Sequence, residues 1–160
     1  MAFYQLVKEQ LIPASITEVW EFISSPENLR EITPEYMGFD ITSKNLPDKM
    51  YPGMIISYRV KPLPGIPMTW VTEITQVREK EFFIDEQRFG PYRFWHHKHF
   101  FRPVDGGVEM TDTVHYALPF DPFSRIMLPV VWKRLEEIFT YREIMIEKIF
   151  GQHTPERSIP

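Results

Sequence analysis

Residues 92–118 read YRFWHHKHFFRPVDGGVEMTDTVHYAL. Side chains of a strand alternate between its two faces, so Arg93, Trp95, His97, His99 and Phe101 share one side, while Phe94, His96, Lys98 and Phe100 take the other. Past the turn residues Pro103-Val104-Asp105-Gly106-Gly107, the set Met110, Asp112, Val114, Tyr116 and Leu118 is the more apolar, opposed by Thr111, Thr113 and His115. Two strands joined by a tight turn form an antiparallel hairpin. A four-residue loop at Pro103 to Gly106 brings Asp112 across from His97 and His99 on the apolar side of the sheet.

Outward from this hairpin, 15 prolines punctuate the chain. Each lacks a ladder donor and restricts the residue before it, so the proline-free spans are the candidate elements. Phe3 to Ile12 reads as a first strand. Ser15 with Glu18 three residues on forms a capping box ahead of Ile16, Val19, Trp20 and Ile23 at helical spacing. Ser25-Pro26 predicts a second, short helix with a hydroxyl cap, ending before Pro34. Met54 to Lys61, Met68 to Val77 and Glu81 to Arg88 are rich in β-branched and aromatic residues and read as strands. Asp121-Pro122 is a candidate cap for a short turn, and Pro129 marks a kink or restart. Leu128, Val131, Leu135, Ile138, Arg142, Met145 and Ile149 then recur at gaps of three and four, a long amphipathic helix that Gly151 stops. Strand, two short helices, a strand meander and a long terminal helix make an α+β fold, with six or seven strands in one antiparallel sheet. A sheet curved around that helix encloses a cavity. Residues 1–150 read as one domain and 151–160 as a flexible tail.

Composition removes several function classes. With 18 basic and 22 acidic residues the net charge is −4, without the basic excess that phosphate contacts require, so no nucleic-acid partner is expected. The absence of cysteine excludes thiolate nucleophiles, Cys-ligated zinc and iron–sulfur clusters. The longest apolar run, Ile126 to Trp132, is far short of the roughly 20 residues that span a bilayer. No basic segment precedes an apolar one at the start, so a cytoplasmic location is the expectation. Dinucleotide and P-loop glycine fingerprints are missing, and no Gly-x-Ser-x-Gly elbow supports a serine nucleophile.

What remains is a constellation. Asp112 lies among Met110, Val114 and Tyr116, where a charge is costly without a partner. His97, His99 and Arg142, the last on the apolar stripe of the terminal helix, are the partners on offer, and the guanidinium fork suits a carboxylate. The competing reading is an internal ion-pair network that only fixes helix to sheet. Two imidazoles at i and i+2 can chelate a transition metal if Asp112 completes the set, but nothing fixes their separation; no metal and no cofactor is assigned. Trp70, Trp95, Tyr116, Trp132, Leu135 and Phe139 supply a candidate cavity wall, each also readable as plain core.

The segments GPYRFWHHKHFF (90–101) and TDTVHY (111–116) resemble a branch of the SRPBCC superfamily of START-like, helix-grip proteins, which carries G-P-[FY]-x-x-W-x-H-x-H-x-F followed by T-D-x-V-x-Y. This branch is described as cell-division-inhibitor-like or polyketide cyclase/dehydrase-like. The resemblance extends to the Pro13-Ala14-Ser15 helix start and to Phe139-x-Tyr141-Arg142. It implies a helix-grip fold and a deep hydrophobic cavity with Trp95, His97, His99, Asp112 and Tyr116 towards it. It implies no single activity, because lipid carriers, hormone receptors, aromatic cyclases and oxygenase subunits share the scaffold.

The expected function is binding of a hydrophobic, lipid-like or aromatic polyketide-like small molecule, with Trp70, Trp95, His97, His99, Asp112, Tyr116, Leu135, Phe139 and Arg142 as its site. The alternative is a cyclase or dehydratase in which His97 or His99 shuttles a proton, Asp112 orients the ring, and Tyr116 or Arg142 stabilises an enolate. A third reading is a partner-binding surface at the Pro62 to Pro67 loop and the convex face.

Overall fold

A computed structural model describes residues 2–63, 66–120 and 122–152. The chain runs β1 (Tyr4–Ile12), α1 (Ile16–Ile23), two 3-10 turns (Glu27–Arg30 and Glu35–Met37), β2 (Asp40–Ile41), β3 (Met54–Leu63), β4 (Ile66–Arg78), β5 (Phe82–Phe89), β6 (Phe94–Val104), β7 (Gly107–Ala117), a 3-10 turn (Phe123–Met127) and α2 (Leu128–Phe150). All seven strands form one antiparallel sheet in the order β1-β7-β6-β5-β4-β3-β2. The first strand thus joins the last, and the sheet curves around α2. Register shifts between Val71 and Thr72 and between Ile74 and Gln76 mark irregularities in the β4–β5 ladder, of the kind that bends a strand.

The capping box forms as the sequence predicts: Ser15 Oγ accepts from the Glu18 amide, and Glu18 Oε2 accepts from the Ser15 amide at 2.9 Å. It starts a helix whose Val19, Trp20 and Ile23 are buried, with Trp20 set edge-on against Phe83 and Phe101. The Ser25 cap does not form. Residues Glu27–Arg30 make a 3-10 turn with no side-chain cap, its N-cap position being taken by Pro26 and not by Ser25.

The hairpin between β6 and β7 is tighter than the predicted four-residue loop. Val104 pairs with Gly107, leaving only Asp105 and Gly106 in the turn, with Gly106 at φ 79°. Gly107 is required by a close approach: a Cβ there would stand 2.0 Å from the Ile12 carbonyl oxygen, where β1 ends.

Pro129 sits in the first turn of α2, where its missing N–H costs nothing, so it starts the helix without kinking it. The face α2 buries carries Leu135, Phe139 and Ile146, whereas the expected stripe member Ile149 is 39% exposed. Over 23 residues a 3.6-residue turn drifts away from alternating gaps of three and four, and the inward line passes to Ile146. Gly151 closes the helix at φ 93°. The Asp121 cap, the loop apex at Pro64-Gly65 and the tail beyond Gln152 lie outside the described residues.

Candidate functional site

Strand β6 lies between β5 and β7, and its inward residues meet acids from both neighbours. Register sets Asp85 of β5 opposite His97, and Asp112 of β7 opposite His99. Each carboxylate contacts both imidazoles. Asp112 Oδ1 lies 2.8 Å from His97 Nε2 and 2.8 Å from His99 Nδ1. Asp85 Oδ2 lies 2.8 Å from His99 Nε2 and 3.4 Å from His97 Nδ1. The four side chains form an alternating acid–imidazole ring, with the two imidazole centroids 3.7 Å apart.

Aromatic groups clamp this ring. Phe83 stacks on His99 at 4.1 Å, and Phe139 meets His97 edge-on at 5.5 Å. The Arg142 guanidinium reaches Asp112 at 3.5 Å and lies over the Phe139 ring. His99 Nδ1 and Arg142 Nε are buried, and neither makes an aligned hydrogen bond with another described residue.

Electrostatics follow from the geometry. Burial opposes ionisation of Asp112, yet the Arg142 guanidinium, the hydrogen bond from His97 and the close His99 ring hold its carboxyl well below the usual carboxylate range. Asp85 is also buried, and the two imidazoles bring it down in the same direction. Burial and the neighbouring His99 lower His97; on His99, burial is outweighed by the close Asp112 carboxylate and the hydrogen bond to Asp85, which raise it. The ring therefore favours the ionised form of both acids and, of its two imidazoles, favours the charged form at His99 over His97.

Above this cluster lies a cavity of about 540 Å3 between the sheet and α2. Asp85, His97, His99 and Arg142 belong to the polar part of its wall, and Trp70, Trp95, Leu135 and Phe139 to the apolar part. Phe120 and Phe123 line the same cavity while 82% and 80% exposed, so its mouth opens at the start of the 3-10 turn before α2.

Two expected site residues lie elsewhere. Asp112 stands behind the imidazoles and does not line the cavity; the histidines come between. Tyr116 is buried against Tyr4 and Tyr92 and is covered from the cavity, and its hydroxyl finds no partner among the described residues. Burial pushes that hydroxyl up to about 12. Trp132 is no wall either: it is 41% exposed, about a third of a turn around α2 from the inward Val131.

Several polar wall residues, Asp85, Tyr58, Thr72 and Arg134 among them, were not anticipated. Asp85 is the most consequential, and the alternation Phe83-x-Asp85-x-Gln87 was its available signal, an acid in phase with a buried aromatic. Tyr58, hydrogen-bonded to Thr72, is driven well above its ordinary range by burial and by the Asp85 charge, so it stays a neutral donor on the far wall.

A sequence model of the family described as polyketide cyclase / dehydrase and lipid transport matches residues 12–140. The chain belongs to this family. Solved structures agree on the fold of this family member. Truncated norcoclaurine synthase from Thalictrum flavum superposes with a TM-score of 0.69 at 15% identity, covering 96% of each chain. TTHA0849 from Thermus thermophilus gives 0.67 at 16% identity over 91% of this chain and 99% of the other. Ara h 8.0201 gives 0.62 at 16% identity over 92% and 99%. At these identities the likeness concerns fold alone. No curated protein matches in sequence. Among the described residues no helix is long and apolar enough to cross a membrane.

Proposed function

We propose that the protein binds a hydrophobic small molecule, lipid-like or aromatic and polyketide-like, between the sheet and α2. The observation that carries this is the cavity itself: about 540 Å3 of space, apolar over most of its wall, with charged groups gathered at one side. That is the usual makeup of a small-molecule pocket, where apolar walls supply affinity and sparse polar groups fix orientation. Each ~100 Å2 of apolar ligand surface buried here contributes about 2.5 kcal/mol. The ligand's polar end is held at Asp85, His97, His99 and Arg142, and its apolar body lies against Trp70, Trp95, Leu135 and Phe139. Asp112 serves the site by fixing the imidazoles, and Tyr116 by supporting Tyr92 from behind.

Native mass spectrometry tests this reading. The purified chain is expected to carry an organic mass, or to take one up from a panel of fatty acids and aromatic polyketides. Failure on both counts, with the fold intact, overturns it.

One feature favours a second reading, a cyclase or dehydratase. Asp85, whose ionised form the ring favours, and His99, whose charged form it favours, both touch the cavity, as acid–base chemistry requires. Arg142 is placed to stabilise an enolate; Tyr116 is not. A panel compound returned with the mass of one water lost supports this reading, and compounds recovered unchanged support binding alone.

A further inference from the structure

We infer that Asp85, His97 and His99 form a site for one divalent transition-metal ion, open to the cavity, with Asp112 as the carboxylate that orients both imidazoles. One ligand atom from each of the three residues lies within 4.8 Å of the others. Asp85 Oδ2 stands 2.8 Å from His99 Nε2 and 3.4 Å from His97 Nδ1. With metal–ligand bonds of about 2.0–2.2 Å, neighbouring donor atoms of one coordination sphere stand about 3–3.5 Å apart, so Asp85 Oδ2 is already near that spacing from both imidazoles.

The remaining two nitrogens give the independent observation. A metal-bound histidine donates its other ring N–H to a carboxylate or carbonyl, which fixes its tautomer and raises its basicity. Here His97 Nε2 is hydrogen-bonded to Asp112 Oδ1 at 2.8 Å, His99 Nδ1 stands 2.8 Å from the same oxygen without an aligned hydrogen bond, and the Arg142 guanidinium lies 3.5 Å from it. His97 Nδ1 is thereby left to present a lone pair to a cation, and His99 Nε2, hydrogen-bonded to Asp85 in the metal-free chain, releases its proton to solvent when the ion binds. The sequence suggested Asp112 as a third ligand, but it faces the wrong nitrogens and lies off the cavity wall; Asp85 takes that role.

Charge is consistent with a cation here. With both imidazoles neutral, two buried carboxylates face one guanidinium, which leaves a negative site that a cation neutralises. Two nitrogens and one carboxylate oxygen suit Zn2+, Co2+, Fe2+ or Mn2+ better than thiolate-seeking Cu+ or Ca2+, which prefers an all-oxygen shell. Three protein donors on one side leave coordination positions facing the cavity, where water or a ligand oxygen can bind. The site depends on this chain's own side chains, whatever organic molecule the cavity takes.

The test is titration of the chelator-treated full chain with Co2+, read by visible absorption, and with Zn2+, read by calorimetry. One saturable ion per chain is expected, with Zn2+ displacing Co2+. Asp85→Ala and His99→Phe should abolish it, and Asp112→Asn should weaken it about 10- to 100-fold. His96→Ala should leave it unchanged, since His96 and His115 form an outward pair with centroids 6.5 Å apart, the rival surface site. Absence of saturable binding, binding that survives Asp85→Ala, or loss with His96→Ala overturns the inference. Should the ring variants not fold, Co2+ broadening of wild-type amide resonances decides: effects centred on Asp85, His97 and His99 support the site, and effects centred elsewhere overturn it.

Discussion

Asp85 and Asp112 stand on β5 and β7, strands separated by β6, and each touches one nitrogen of His97 and one of His99. The two acids are joined through the imidazoles, so every member of the ring compensates its neighbours' burial. Loss of one leaves the others exposed to the low-dielectric interior without a partner.

Asp112→Ala should therefore be among the costlier single changes in the chain. It leaves Arg142, His97 and His99 without the carboxylate they share, and removal of one partner from a buried charge network costs about 3–5 kcal/mol. Urea denaturation measures this. A loss below about 1 kcal/mol, the range of surface pairs, would contradict the account.

Stability of the metal-free protein should fall on both sides of a maximum. The Asp85 and Asp112 carboxyls are depressed in the folded state, so their contribution is present above the unfolded-state value of about 4 and lost as pH falls through the folded values. His97, also depressed, loses stability in the same direction, beginning below about pH 6.5. His99 is raised, so its contribution is complete below about 6.5 and is lost as pH rises through its folded value. Denaturation midpoints measured in chelator from about pH 3 to 9 should trace this dome, and a flat profile would count against the charge assignment.

Gly107→Ala should destabilise by about 1–3 kcal/mol, because the added methyl must push back the β1 backbone at Ile12. Thermal unfolding reads the effect. Gly53, whose Cβ would meet nothing within 4 Å, is the spatial control, although φ 91° still disfavours a side chain there.

Val131→Trp should fill the cavity from α2 without touching the charged ring. Val131 lines the cavity and is only partly buried, so the larger side chain has room to enter. Uptake of organic ligands should disappear while circular dichroism stays native, whereas undiminished uptake would place the ligand elsewhere.

Much of this site was legible in residues 92–118, where strict alternation separates inward Trp95, His97 and His99 from outward His96 and Lys98. The acid on β7 and the guanidinium on α2 were also readable, each being a charge in phase with apolar neighbours. Asp85 was hidden by its context, since Glu81, Glu86 and Arg88 make that strand look solvated, and pairing with β6 depends on a turn at Gly90-Pro91 whose register no local pattern specifies. Tyr116 and Trp132 show the other limit: alternation tells which side of the sheet a residue faces, while neighbouring aromatics and helix phase decide whether it reaches the cavity. The Ser25 cap failed because Pro26, which has no side-chain acceptor, takes the N-cap position of the turn.

The most direct measurement is a crystal structure of the chain soaked or co-crystallised with the best ligand from the native mass-spectrometry panel. The account predicts density between Trp70, Trp95 and Phe139, with the ligand's polar atoms at the Asp85, His97 and His99 end. A ligand seated outside the cavity, or a reversed one with its apolar end against the imidazoles, would contradict it.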